Sequence, residues 1–285
     1  MSYDILISDK VRFETLKSNI AKAGSQTIHV VTDFDRTLTK AYVDGKKMPS
    51  MISVLRDGNY LTSGYAEKAH GLFNKYRPIE LGTEISEDEK KKAMFSWWRE
   101  HFDLLIESGL NKKNIEDAVY LGKVQIRDGL PEFFSTLRNH NIPVAIISSN
   151  GLGGDSISMY LEKKDIVYDN IHIISNSYIW DEDGNAVGVK EPIIHAANKD
   201  ETAIRDTPVF DLIKDRKNVI LLGDSIEDIK MVSGFEYDNI IKIGFLNENQ
   251  EKSLEAYKRN FDVVICNDSG MDYVNSLLKD ILDKN

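Results

Sequence analysis

The sequence predicts a doubly wound, mostly parallel α/β core that carries a helical insertion. Three observations predict it. Apolar, β-branched runs end in polar or glycine-rich loops, as strands buried on both faces do: "HVVT", "IPVAIISS", "NVILLGDS", "NIIKIGF" and "FDVVICND". Helical patterns alternate with these runs, the arrangement of βαβ units. Residues 43–125, rich in Lys and Glu, place apolar residues at helical spacing with almost no strand signal.

In order along the chain, residues 8–23 read as an amphipathic helix, followed by "GSQ" and a strand from Thr27 to Asp33. The helical stretch contains "AEKAHGLFNKY" and "KKKAMFSWWREHFDLLIESG". "RDGLPEFFSTLRNHN" has a turn, a proline near a helix start and a helical period, and "IPVAIISS" runs as a strand into a glycine-rich loop. "IHIISNSYIWDEDGNAVGV" reads as a strand and a hairpin around Asp183-Gly184. Its "DEDGNAVGVKEP" begins like a calcium loop, but Ala186 stands where glycine is required and Pro192 where glutamate is, so a hairpin turn is expected. The remaining runs are buried strands separated by helical segments. The expected division is an α/β core of residues 1–42 and 126–285 with a helical cap of residues 43–125.

A chain of 285 residues with 41% hydrophobic composition can bury its own core. The net charge of −10 argues against a nucleic-acid polymer as partner, since that binding rests on Lys and Arg contacts to phosphate. A small anionic substrate remains open if a divalent metal supplies local positive charge. No apolar stretch nears the ~18 residues of a membrane span, and no signal peptide is visible, so no membrane partner and a cytoplasmic location are expected. The one cysteine, Cys266, lies in an apolar strand and reads as a structural thiol, consistent with a reducing compartment. A monomer is expected.

Asp33 and Asp35 close the first strand one residue apart. In extended chain, residues i and i+2 point to one side, and two carboxylates there repel unless a cation or a proton lies between them. Ser148 and Ser149 follow "VAII" and Asp224 follows "VILLG", so all fall at the carboxyl ends of strands, where ligands of such sheets bind. Lys199 in "HAANKDE" and Asp228, a turn beyond Asp224, can reach the same edge. Carboxylates, a hydroxyl and a lysine there suit a magnesium-dependent phosphoryl site. Magnesium prefers hard oxygen ligands, and a carboxylate can act as nucleophile while metal and lysine neutralise phosphoryl oxygens. Of Trp97 and Trp98, adjacent on a helix, one faces the core and the other can stack on a base. His101, His172 and His195 show no metal-ligand spacing.

"DFDRTLT", the hydroxyl after "VAII", the downstream lysine and "LLGDSIED" together resemble the four motifs of the haloacid dehalogenase superfamily of phosphohydrolases. More narrowly, "TDFDRTLT", "YRPIE", "SWWREHFDLL", "DGLPEFF", "IPVAIISS", "IIHAANKDE", "NVILLGDSIEDIKM" and "IIKIGFLNE" resemble the cytosolic 5'-nucleotidase III (pyrimidine 5'-nucleotidase) family, from about residue 25 to 270. The resemblance implies hydrolysis of nucleoside 5'-monophosphates, pyrimidine or 7-methylguanosine, through an aspartyl phosphate. It implies Asp33 as nucleophile and Asp35 as the acid that protonates the leaving oxygen and then activates water. Ser148 and Lys199 would bind phosphate, and Asp224 would hold Mg2+ with Asp33 and the backbone carbonyl of Asp35. Asp228 would lie in the metal's outer shell or orient Lys199, Trp98 would stack on the base, and Glu80 would contact its edge. One departure stands out: "SSNGLGG" is one residue longer than the family's Ser-Ala-Gly pattern, although Ser149 and the backbone N–H groups can still face an oxyanion. The rival expectations are a capped phosphatase acting on phosphoserine or a sugar phosphate, and a phosphoacceptor module that does not turn over. Asp35 argues against the latter, which needs no proton donor.

Overall fold

The computed structural model describes residues 4–82, 85–200, 204–205, 207–234 and 236–283; Glu201 of the "HAANKDE" segment lies outside them. In chain order the elements begin with β1 (Ile5–Ile7), α1 (Lys10–Ala23), β2 (Ile28–Thr32) and a hairpin of β3 (Tyr42–Val43) and β4 (Lys46–Lys47). Helices α2 (Met51–Asp57), α3 (Tyr65–Leu81), α4 (Glu87–Glu107), α5 (Lys112–Leu121) and α6 (Leu130–Asn139) follow. Then come β5 (Val144–Ser148), α7 (Gly154–Lys163), β6 (Ile171–Ser175), the hairpin of β7 (Tyr178–Trp180) and β8 (Ala186–Val189), and α8 (Pro208–Ile213). The chain ends with β9 (Asn218–Gly223), a 3-10 turn (Ile226–Val232), β10 (Asn239–Leu246), α9 (Gln250–Asn260), β11 (Val263–Cys266) and α10 (Asp272–Leu282).

β2, β5 and β9 are buried at every position, which their unbroken apolar sequence requires. The sheet has the order β1-β11-β10-β9-β2-β5-β6, with β1 antiparallel to β11 and the other pairs parallel. Alternate residues of β2 face opposite layers. Ile28 and Val30 join the larger core with Phe13, Phe133 and Leu278, whereas Val31 joins Val209, Ile213 and Met231 on the other face. This is the expected doubly wound α/β architecture. From β2 the chain builds outward through β5 and β6 on one side and β9, β10 and β11 on the other, so its carboxyl end is the switch point where ligands bind.

The stretch between the two halves is mainly helical, with one addition to the expectation. β3 and β4 pair as Tyr42↔Lys47 and Val43↔Lys46 around Asp44 (φ 50°) and Gly45 (φ 72°), a hairpin turn that needs positive φ at both centres. The two linkers to the sheet lie side by side, bridged at Thr39↔Ile126 and by Lys40 N–H to the Gln125 carbonyl at 2.9 Å. Leu55 of α2, Leu105 of α4 and Ile115 of α5 share the main core with the sheet, whereas Tyr76 of α3 and Met94 of α4 form a small separate cluster with Ala197. The hairpin expected around Asp183-Gly184 is present as β7–β8 and joins α5 through Lys112 N–H to the Gly184 carbonyl at 3.0 Å. No described helix is long and apolar enough to cross a membrane.

Candidate active site

Asp33 continues β2, its N–H donating to the Leu222 carbonyl of β9 at 3.1 Å, so its side chain emerges between the carboxyl ends of the two strands. There it meets Lys199, whose Nζ donates to Asp33 Oδ1 and, at 3.3 Å, to Asp228 Oδ1. The other oxygen of Asp228 accepts the backbone N–H groups of Asp224 (3.1 Å) and Ser225 (3.0 Å), closing the capping box of the 3-10 turn. Asp228 is therefore both a cap and a partner of Lys199. Gly223 makes this possible, because a Cβ there would lie 2.5 Å from the Asp228 Cβ. Lys199 is carried by a loop tied to Asn176, which accepts from Ile194 N–H (2.8 Å) and donates to the Ile194 carbonyl (2.9 Å).

Asp33, Asp224 and Asp228 each offer a carboxylate oxygen within 4.8 Å of the others. Burial pushes Asp33 up to about 7 against the pull of Lys199, with Asp228 and Asp35 pushing further the same way. Asp224 is raised well above the carboxylate range by burial and then by Asp228 and Asp33, and Asp35 is raised by burial. Burial alone would lower Lys199, but Asp33 and Asp228 beside it hold it above the ordinary lysine value. One ammonium thus faces more carboxylate charge than it can neutralise. The hard oxygen donors left over match those that magnesium takes.

Ser148 ends β5, and its Oγ accepts Asn150 N–H at 3.2 Å, while Asn150 Oδ1 accepts Leu152 N–H at 2.8 Å. The longer "SSNGLGG" loop is thereby folded on the buried Asn150 side chain, and Ser149 and Gly151 line the pocket. The cavity, about 340 Å³, has Asp33, Asp35, Ser148, Ser149, Lys199, Asp224 and Asp228 at one end. Ile52 of α2, Arg77 and Glu80 of α3, and Lys90, Met94 and Trp98 of α4 line it as well. Its volume is in the range of small-molecule sites. Trp98 stacks on Phe102 (centroids 5.5 Å, 27°) and meets His101 edge-on, and its ring comes so near Gly151 that a Cβ there would sit 3.1 Å from it. Trp97 stacks on Tyr76 (5.8 Å, 12°) and does not line the pocket. Glu80 accepts a hydrogen bond from Arg77, one helical turn before it.

All nine residues singled out from the sequence therefore meet in one cavity. Arg36, Arg77 and Lys90 line it too and were not foreseen. The i,i+3 spacing of Arg77 and Glu80 was the available signal for one of them.

Residues 36–282 match the family model described as Pyrimidine 5'-nucleotidase (UMPH-1). The chain is 34% identical to the 7-methylguanosine phosphate-specific 5'-nucleotidase of Homo sapiens over 283 residues, 99% of this chain and 94% of that one. Among solved structures it is similar to cytosolic 5'-nucleotidase IIIB bound to cytidine, with a TM-score of 0.87 and 27% identity over 100% of this chain and 95% of that one. A phospho-aspartyl intermediate analogue of phosphoserine phosphatase shares the fold, with a TM-score of 0.53 and 16% identity over 87% of this chain and 97% of that one.

Proposed function

That the chain belongs to the pyrimidine 5'-nucleotidase family is the premise from which we propose its reaction: hydrolysis of a nucleoside 5'-monophosphate to nucleoside and phosphate, through an aspartyl phosphate on Asp33. The observation that carries this reading is the Asp33–Lys199–Asp228 chain beside Asp224, lining one cavity together with the aromatic and acidic side chains of Trp98 and Glu80.

Asp33 attacks phosphorus as its carboxylate, while Lys199 and the Ser148 and Ser149 loop hold the phosphoryl oxygens. Asp35, whose hold on a proton burial strengthens, is the group that delivers one to the departing 5'-oxygen. The carboxylate so formed then takes a proton from the water that cleaves the aspartyl phosphate, returning both groups to their initial states. Asp33, Asp224 and the Asp35 carbonyl would hold Mg2+, with Asp228 in the outer shell. The ion would supply the positive charge that keeps Asp33 ionised and offsets the phosphoryl charge.

Glu80 accepts from amine or N–H groups of the base edge, and Trp98 offers a face for stacking. A cationic methylated guanine gains more from an indole than a neutral pyrimidine does. The names of the relatives support both classes, cytidine and 7-methylguanosine phosphate. In this reading residues 43–125 form a cap over a core of residues 1–42 and 126–285, and the enzyme is a cytoplasmic monomer. Phosphate release over a panel of nucleoside monophosphates, phosphoserine and sugar phosphates, with and without magnesium, tests it. Preference for phosphoserine or a sugar phosphate would replace this function with the rival phosphatase, and a stoichiometric burst without turnover would point to a phosphoacceptor module.

A further inference from the structure

Arg127 is fully buried, though it belongs to a linker and not to a strand or helix. Burying a guanidinium costs several kcal/mol unless its donors are met, and here they are met almost entirely by main chain. Nε donates to the Thr37 carbonyl at 2.8 Å, Nη2 to the carbonyls of Arg36 (2.5 Å) and Thr39 (3.4 Å), and Nη1 to that of Ser269 (2.5 Å). Asp268 balances the charge at 3.1 Å, and Asn247 both accepts from Arg127 Nη2 (3.2 Å) and donates to the Arg36 carbonyl (3.0 Å).

Three of these carbonyls belong to the turn that directly follows Asp35. The Asp35 side chain has no hydrogen-bond partner among the described residues, and where its Cβ stands follows from the backbone of the turn, with Lys199 and Arg36 acting on its charge. The backbone at this point is unusual. Arg36 has φ 62°, a left-handed conformation costly for any residue but glycine, and its N–H is held by Thr39 Oγ1 at 2.8 Å. A turn whose carbonyls face inward needs donors to stay folded, and a planar fork of N–H groups meets several at once in fixed geometry.

We propose that Arg127, with Asn247, is a positioning residue for proton transfer: by clamping the carbonyls of residues 36, 37 and 39 it holds Asp35 in line with the leaving oxygen. This rests on the proton-donor role of Asp35. Neither Arg127 nor Asn247 lines the cavity, so neither touches substrate.

Leaving-group dependence tests it. A nucleoside alkoxide must be protonated as it departs, whereas p-nitrophenolate leaves unprotonated, and kcat/KM reports the steps through departure of this first product. Arg127→Lys, Asn247→Ala and, as reference, Asp35→Asn are compared with the parent enzyme on cytidine 5'-monophosphate and p-nitrophenyl phosphate with magnesium. Arg127→Lys is expected to lower kcat/KM on the nucleotide by about 100-fold, the order of loss that a misplacement near 1 Å causes, with less than about threefold change on the aryl phosphate. Asn247→Ala should show the same split at about tenfold. Equal losses on both substrates by Asn247→Ala at an unchanged melting temperature, or full nucleotide activity in Arg127→Lys, would overturn the clamp. If Asp35→Asn itself shows no split, the proton-donor assignment falls and the inference falls with it. A split in Asp35→Asn alone overturns the clamp and leaves that assignment standing.

Discussion

Replacing Asp33 with Asn should stabilise the metal-free protein at alkaline pH while abolishing its activity. Asp33 is 5% exposed and titrates at about 7 in the fold, against 3.8 for an unperturbed aspartate, because burial and the neighbouring carboxylates outweigh Lys199. Its folded pKa is raised, so between these values the native state holds more protons than the unfolded one, and stability falls as pH rises through the interval. Three pKa units at about 1.4 kcal/mol each amount to roughly 4 kcal/mol lost by pH 8 relative to pH 4. An amide resembles the protonated acid and escapes that loss, while Lys199 keeps Asp228 as partner. Urea unfolding in excess chelator at pH 4.5 and pH 8 reads the difference as a midpoint shift at constant slope. The two proteins should be close at pH 4.5, and Asp33→Asn should lead by up to about 4 kcal/mol at pH 8. Added magnesium should narrow the gap by stabilising the parent more, since it binds only the folded site. A parent protein equally stable at both pH values, or more stable than Asp33→Asn at pH 8 without metal, would refute the reasoning. So would substantial nucleotidase activity in Asp33→Asn, because an amide is a poor nucleophile.

The same carboxylate crowding predicts that activity requires magnesium and that Asp224→Asn raises the magnesium concentration needed for half-maximal rate; full activity in excess chelator would contradict it. Glu80→Ala and Trp98→Ala should raise KM for nucleotides and flatten the preference among bases, the stacking loss being about 1–3 kcal/mol by analogy with single-stranded nucleic-acid binders. Hydrolysis of p-nitrophenyl phosphate, which has no base, should stay nearly unchanged, and parallel losses on both substrates would make these residues parts of the scaffold.

The chemistry end of the site was legible because buried parallel strands announce themselves as unbroken apolar runs, and the residues just past Thr32, Ser148 and Gly223 are then placed at one edge by topology alone. Asp228 reads in the sequence as a residue that can reach the site, and the structure gives one of its oxygens to Lys199 and the other to capping the 3-10 turn, a task its place one turn after Asp224 also suits. The β3–β4 hairpin was missed because two-residue strands carry no periodicity, although Asp44-Gly45 is a turn signal. Arg77 and Lys90 were missed for a different reason: in a helix-rich, charged segment most cations face solvent and packing decides which of them line a cavity, while Arg36 stands in the turn just after Asp35, where no periodicity says which way a side chain points. The sharing of one apolar core by the sheet and by α2, α5 and the end of α4 was likewise invisible, since a helical period shows that a face is buried and not what buries it.

The two ends of the pocket rest on very different amounts of buried surface. Asp33 and Asp224 extend strands at the centre of the main core, whereas Arg77, Glu80 and Lys90 sit on α3 and α4 beside the small cluster around Tyr76, Met94, Trp97 and Ala197. Substitutions at that end open little of the protein's core and draw little on its global stability. On the proposed reading the edge contact of Glu80 is therefore the cheaper part of base recognition for mutation to alter, Trp98 being packed against the main core, and descendants of this sequence can change which nucleotide they accept while the phosphate chemistry stays fixed.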